Sequence, residues 1–264
     1  MTTSVGLTSS TLHKALRKKD IRINNIRINE DTLVHEFDTI TIFIIDDLLY
    51  KKIKLEKIYE DDNILVINKP VGLEVVSTSS EETATTLLQK EYSYIKPCHR
   101  LDRNTTGLVL FAKTPEALDI LLEKFKTREI KKNYHCTVIG KMPKEQETLK
   151  AYLFKDNKKS LVYISDTPKK GYQEIITKYT VISENKQDKT SKLDVELITG
   201  RTHQIRAHLA YIGHPILGDG KYGINEINKK LKTKYQQLEN FKMEFKFTTN
   251  SGNLNYLNGK IITL

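Results

Sequence analysis

Asp102 stands between two guanidinium groups, Arg100 and Arg103, in the run HRLDRNTTGLVLFAK from His99 to Lys113. Shielded from water, such a carboxylate can serve as an acid, a base or a nucleophile. Left on the surface, it makes a salt bridge worth only ~0–1 kcal/mol. Two other segments carry polar groups where a strand meets a turn or a helix. Tyr134 lies in KKNYHCTVIG (131–140), and Arg201, His203, Gln204 and Arg206 open RTHQIRAHLAYIG (201–213). A helix N-terminus carries partial positive charge, so bases gathered there imply an anion nearby. A phosphate and a buried carboxylate such as Asp102 both answer that description. Tyr134 alone reads as an ordinary core or surface tyrosine.

The elements that must position these residues are legible in outline. NILVINKPVG (63–72) has the continuous apolar core of a buried strand, stopped by Lys-Pro and Gly. TGLVLFAKT (106–114) is a second short strand. PEALDILLEKFKTREI (115–130) is a helix, with Pro115 and Glu116 at its start and an apolar stripe from Ala117 to Phe125. Strands follow over 131–140, 173–183 and 191–200, the last two joined by the polar tip ENKQDKT. Leu193, Val195 and Leu197 alternate with Asp194 and Glu196, the pattern of an antiparallel sheet with one wet face. The helix at 201–213 and a strand at 241–249 complete the pass. Residues 77–86 read as a loop or helix start. Many strands without a regular βαβ rhythm indicate an α+β fold with a mixed, mostly antiparallel sheet.

The N-terminal part differs. Residues 12–28 hold six Lys or Arg and one acid, with Leu12, Ala15, Leu16 and Lys19 at helical spacing. Asn24-Asn25 is a turn, and 31–44 is rich in Thr, Ile and Val and therefore strand-like. Residues 1–45 thus form a small basic unit suited to phosphate contact through Lys14, Arg17, Lys18, Lys19 and Arg22. The charged stretch 46–57 is a linker, and 58–264 is the larger domain.

The whole chain has 264 residues and a formal charge of +10, which points to a polyanionic partner, nucleic acid first. No run of 18 apolar residues exists, so no membrane partner is expected. The first twenty residues lack the apolar core of a signal peptide; their Ser, Thr and Arg faintly resemble a transit peptide, but the pattern soon continues into apparent folded structure. GxxxxGK[ST] is absent, and GxGxxG occurs only as GDGKYG (218–223), with no strand–turn–helix unit read around it, so no nucleotide cofactor is expected. The pairs Cys98-His99 and His135-Cys136 are poor zinc ligands, because strand neighbours point to opposite faces. Two reduced thiols in a cytoplasmic protein is the reading, with no metal.

HRLDRNTTGLVLFAK resembles the central motif of the RluA-type pseudouridine synthases. INKPVGL (67–73), KKNYHCTVIG and TGRTHQIRAHLAYIGHPILGDGKYG (199–223) resemble the family's flanking motifs, and 7–45 resembles a shortened S4 RNA-binding domain. Segments 71–95 and 141–172 are only loosely family-like. The resemblance implies a pseudouridine synthase fold and isomerisation of uridine in structured RNA, large-subunit ribosomal RNA ahead of transfer RNA, by a monomer needing no cofactor. It implies that Asp102 is the catalytic acid/base or nucleophile. Arg206, or as second choice Arg201, would be its counter-ion. Tyr134 would pack on the uracil and help remove the proton from carbon 5. Arg100 would fill the space of the everted base, with Arg103, Arg201, His203 and Gln204 also on substrate. Two rivals remain. One is an RNA-binding protein without catalysis, against which Asp102, Tyr134 and Arg206 all stand intact. The other is a hydrolytic glycosylase, which commonly needs a second carboxylate, and none is apparent near Asp102 in the sequence.

Overall fold

The computed structural model describes residues 9–43, 53–78, 80 and 82–264. The leader reading for the first residues, and most of the 46–57 linker, fall outside them, as does the side chain of Lys14. Two compact units are present, Met1–Lys54 and Leu55–Leu264.

In the first unit, helix α1 (Ser9–Arg17) accompanies a three-stranded antiparallel sheet in the order β2 (Ile26–Ile28), β1 (Ile21–Ile23), β3 (Ile40–Ile42). Asn24 and Asn25 both take positive φ, 48° and 69°, and close the β1–β2 hairpin. Asparagine tolerates that backbone and suits a two-residue hairpin turn. Ala15, Leu16 and Ile21 are buried against Leu12, Ile28, Ile40 and Ile42. Arg17, Lys18 and Lys19 are exposed, and Arg22 lies over the Phe43 ring at 4.8 Å. Among the described residues of the strand-like 31–44 segment, only Ile40–Ile42 form a strand; Leu33 and Phe37 are exposed. β-propensity reflects packing against neighbours, and 31–36 has no strand beside it.

The second unit is built on a mixed sheet of eleven strands. Its main path runs β10 (Leu161–Ser165), β9 (Gln146–Asp156), β11 (Gln173–Asn185), β12 (Thr190–Leu197), β8 (Ile130–Ile139), β13 (Leu238–Phe245), β7 (Thr106–Ala112), β5 (Ile64–Lys69), β4 (Glu56–Glu60). β14 (Ile261–Thr263) pairs with β13, and β6 (Lys96–Pro97) with β7. Every pairing is antiparallel except β7 with β13. β4 begins inside the segment expected to be linker. β9 and β10 occupy a stretch for which no element was expected. Only two β9 positions, Ala151 and Leu153, are buried, so the strand leaves almost no alternation in the sequence.

Helix α3 (Pro115–Lys126) starts where Thr114 Oγ1 accepts the Ala117 amide at 3.1 Å. It buries Ala117 and Leu121 with Leu108, Leu110, Met243 and Phe245 from β7 and β13. Thr83 caps the short helix α2 (Ala84–Leu88). Helix α4 (Gln204–Tyr211) places Ala207 with Ile175, Leu153 and Val162 from β9–β11. α5 is Asn225–Lys230. No helix among the described residues is long and apolar enough to cross a membrane.

The β7–β13 junction governs where Asp102 sits. Gly107 has φ +108°, and a Cβ there would lie 2.3 Å from the Asn240 carbonyl oxygen. Asn240 Nδ2 donates to the Leu108 carbonyl at 2.7 Å, and Gln236 Nε2 to Thr105 Oγ1 at 2.6 Å. The Thr105 amide in turn donates to the Asp102 carbonyl at 3.0 Å. Gly107→Ala is therefore expected to cost about 3 kcal/mol, through strain plus overpacking. Gly72→Ala, at φ +84° but facing open space, is expected to cost about 1 kcal/mol. Urea unfolding midpoints of the two variants measure the difference, and equal midpoints would count against the junction.

Candidate active site

Asp102 lies in the turn between β6 and β7, with a quarter of its side chain exposed. Its Oδ2 accepts Arg206 Nη1 at 2.7 Å. Arg206 is the third residue of α4, and its side chain is 9% exposed. The same guanidinium forks onto a second carboxylate: Nε donates to Asp219 Oδ2 at 2.7 Å and Nη2 to Asp219 Oδ1 at 2.9 Å. Asp219 is fully buried, and its Oδ1 also accepts the amides of Lys221 (2.8 Å) and Tyr222 (3.0 Å). Burial alone would raise the Asp219 pKa. The hydrogen bonds and charge of Arg206, with those two amides, overcome it and hold the group below the usual carboxylate range. Burial likewise works against the Arg206 charge, and Asp219 followed by Asp102 raises its pKa above the ordinary value.

His203 precedes α4 with φ +53°, so the helix begins later than 201. Its Nδ1 meets the Tyr222 hydroxyl at 2.8 Å, and its Nε2 lies 3.9 Å from Asp102 Oδ2. The Tyr222 hydroxyl also accepts the Val162 amide at 3.0 Å, and its ring lies 5.3 Å from the Arg206 guanidinium carbon. Burial lowers the His203 pKa more than Asp102 raises it, so the ring is neutral at pH 7.

Tyr134 projects from β8, between Val195 of β12 and Asn240 of β13. It is buried and lines one cavity of about 80 Å³ with Asp102, Arg206 and His203. Burial, and then the charge of Asp102, pushes its phenol pKa well above the tyrosine value. A phenol held protonated can pack against a ring and donate a hydrogen bond.

The other expected residues divide. Arg100 and Arg201 are exposed and line the cavity. Arg103 is directed elsewhere: its Nε donates to the Gly72 carbonyl at 3.0 Å, and its own carbonyl accepts the Gly72 amide at 2.9 Å. Gln204 touches the cavity, but its amide is spent on the protein. Oε1 accepts Thr199 Oγ1 and the Arg201 amide, and Nε2 donates to the Ile176 carbonyl and Thr177 Oγ1. That leaves it nothing with which to bind substrate.

Lys69, Asp219 and Tyr222 were not singled out from the sequence, although INKPVGL and GDGKYG contain them. Lys69 is fully buried and donates to the carbonyls of Pro70 (2.9 Å), Leu73 (2.8 Å) and Arg103 (3.1 Å). Burial outweighs the attraction of Asp102 and Glu74 and lowers its pKa to about 8. A lysine directly before a proline, at the end of a strand with a continuous apolar run from Ile64 to Ile67, was the available signal. For Asp219 it was an acid flanked by Gly218 and Gly220.

Residues 63–211 match the family described as RNA pseudouridylate synthase. The Buchnera aphidicola protein named ribosomal large subunit pseudouridine synthase C is 33% identical over 84% of this chain and 75% of its own length. The Saccharomyces cerevisiae mitochondrial tRNA pseudouridine(32) synthase is 34% identical over 80% of this chain, but the match spans only 47% of that protein. The solved structure of human RNA pseudouridylate synthase domain containing 1 superposes with a TM-score of 0.64 at 23% identity, covering 75% of this chain and 80% of that one. Motif, sheet and relatives agree: this chain belongs to the RluA-type RNA pseudouridine synthases.

Proposed function

We propose that this chain converts uridine to pseudouridine within structured RNA, with Asp102 as the reacting carboxylate. The observation that carries the reading is the asymmetry of Asp102. Oδ2 is held by Arg206, while Oδ1 takes no hydrogen bond among the described residues and the side chain borders the cavity shared with Tyr134. In the reaction the glycosidic C–N bond breaks, the uracil turns and a bond forms from the sugar to carbon 5. The proton lost from carbon 5 is balanced by one gained at N1. Asp102 either attacks the sugar or removes a sugar proton, and both routes need an oxygen with a free lone pair. Arg206 compensates the negative charge, and Tyr134 packs on the uracil. The target base must leave its stack, at a cost of a few kcal/mol, and exposed Arg100 is suited to the vacated space.

Large-subunit ribosomal RNA is the proposed substrate, because several relatives are named for it; the yeast relative's name makes transfer RNA the alternative. Mapping pseudouridines in both RNAs from a strain lacking the gene decides between them. The working unit is a monomer, since Asp102, Arg206, Asp219 and Tyr134 come from one chain, and two buried free thiols suit the cytoplasm. The N-terminal unit acts as an S4-like, sequence-independent phosphate binder.

Asp102→Asn is expected to abolish tritium release from 5-³H-uridine RNA while RNA affinity is retained, because Asp219 still holds Arg206. Equal loss of binding would make Asp102 structural, and retained release would remove it from the chemistry. Asp219→Asn is expected to lower kcat by about tenfold or more with little change in KM, as Arg206 loses its anchor. It should also cost about 3 kcal/mol of stability. The folded-state pKa of Asp219 is depressed, so its contribution is present above ~pH 4 and lost as pH falls through the folded value. Denaturant midpoints of wild type and Asp219→Asn should therefore converge in acid, and a constant gap would contradict this. Neutralising Arg17, Lys18 and Lys19 together is expected to reduce the slope of log affinity against log salt by about 2, weakening binding more than the chemical step. An unchanged slope would remove the N-terminal unit from RNA contact.

A further inference from the structure

Beside the catalytic cavity lies a groove of about 600 Å³, whose lining includes Phe125, Arg128, Lys131, Lys132, Thr199 and Arg201. Lys132, Leu197, Gly200 and Arg201 line both spaces, so the two are contiguous. Lys126 adds a fifth cation to the groove, and Glu196 is its carboxylate, already 3.6 Å from Lys131.

Lys132 is the unusual member. It lies two residues before Tyr134 on β8, on the same face of the strand. Its ammonium has no hydrogen bond or ion pair among the described residues and lies 5.0 Å from the centre of the Phe125 ring. Burial lowers its pKa to about 8, with no carboxylate opposing the effect. Lys132 is half-buried, so its ammonium reaches the opening with no protein anion beside it, and that opening is rich in positive charge. Nothing in the packing of β8 needs an ammonium there.

We propose that Lys132 binds the phosphodiester next to the everted uridine, and that the groove carries the adjoining strand of RNA. This rests on the reaction proposed above. A base held in the small cavity against Tyr134 must keep its backbone outside, and the groove is the space next to it. Arg201 and Arg128 then serve phosphates farther along the strand. Arg128 at the end of α3 has φ +63° and is exposed.

The charged and titratable groups around Lys132 are Cys98 and His99 before β7, Lys126 at the end of α3 and Arg128 just after it, Lys131 and Glu196 as a pair, Arg201, and Arg100, Asp102, Tyr134, His203 and Arg206 in the adjoining cavity. The His99 pKa is lowered by burial and then by Lys132 itself, so that ring stays neutral above pH 7. Lys132 is thus the groove lysine lowered to about 8; Lys69, behind Asp102, shares that range but is common to wild type and Lys132→Arg. A bound phosphate favours the charged form of Lys132, so binding takes up a proton and weakens as pH rises through 8.

The test measures the affinity of the full chain for a five-residue oligouridylate from pH 6.5 to 9.5, in wild type, Lys132→Arg and Lys132→Gln. Wild type is expected to lose about tenfold more affinity across that range than Lys132→Arg. Uridine's own N3 proton affects both equally. Lys132→Gln is expected to bind about tenfold more weakly at pH 7, with a salt slope lower by about 0.7, and Lys132→Arg to restore both. Absence of binding by wild type, the wild-type pH fall persisting in Lys132→Arg, or an unchanged salt slope in Lys132→Gln would each overturn the assignment. Tritium release from 5-³H-uridine RNA separates the two proposals. Release with no role for Lys132 in binding sinks the groove alone. Lys132-dependent binding by a chain that releases no tritium from any RNA sinks the reaction.

Discussion

Arg206 is the point on which the site depends. A planar guanidinium offers five donors in fixed directions. Here Nε and Nη2 are committed to Asp219, which sets the plane, and Nη1 then points at Asp102. A lysine could neutralise one carboxylate but could not fix the direction of a second contact. Asp219 in turn is locked by the Lys221 and Tyr222 amides, and the Tyr222 ring lies near the guanidinium while its hydroxyl holds His203. Three segments, the first turn of α4, the nearby 219–222 turn and the turn before β7 about a hundred residues earlier, are joined by one side chain. Buried ion pairs seldom repay their desolvation, so this arrangement is better explained by positioning than by stability.

The Asp102 turn needs support from its other side, and the sheet supplies it. Lys69 ties the 70–73 turn to the Arg103 carbonyl, and Gly107 lets β7 approach β13 closely enough for Asn240 and Gln236 to reach Leu108 and Thr105. The parallel β7–β13 contact is thus the junction between the sheet and the Asp102 turn. Arg103, which the sequence reading places on the substrate, is part of this support and not of the cavity.

What the sequence made visible is what has a local cause. The Thr114-Pro115-Glu116 start of α3, the alternation in 191–197 and the Asn24-Asn25 hairpin each depend on neighbours within a few residues, and all are present. The family motifs directed attention to Asp102, Tyr134 and Arg206, which share one cavity. Features with distant causes stayed hidden. β9 is a strand because β10 and β11 flank it, not because of its own alternation. Gln204 reads as a substrate ligand until Thr199, Ile176 and Thr177 are found consuming its amide. The late start of α4 follows from the left-handed backbone of His203, held by a tyrosine nineteen residues on.

Asp219 bears on the choice between isomerisation and hydrolysis. A second carboxylate does lie close to Asp102, one guanidinium away, contrary to the impression the sequence leaves. A hydrolytic enzyme would use such a partner to activate water. Asp219 is unsuited to that: no surface of its side chain is exposed, both oxygens are held by Arg206, and Oδ1 also accepts two amides. Only Asp102 combines exposure to the cavity with an oxygen left open among the described residues. Asp219 is thus committed to Arg206 and does not supply the second carboxylate that a hydrolytic route would use. The pair is therefore asymmetric by construction, one acid open to the cavity and the other holding the arginine between them.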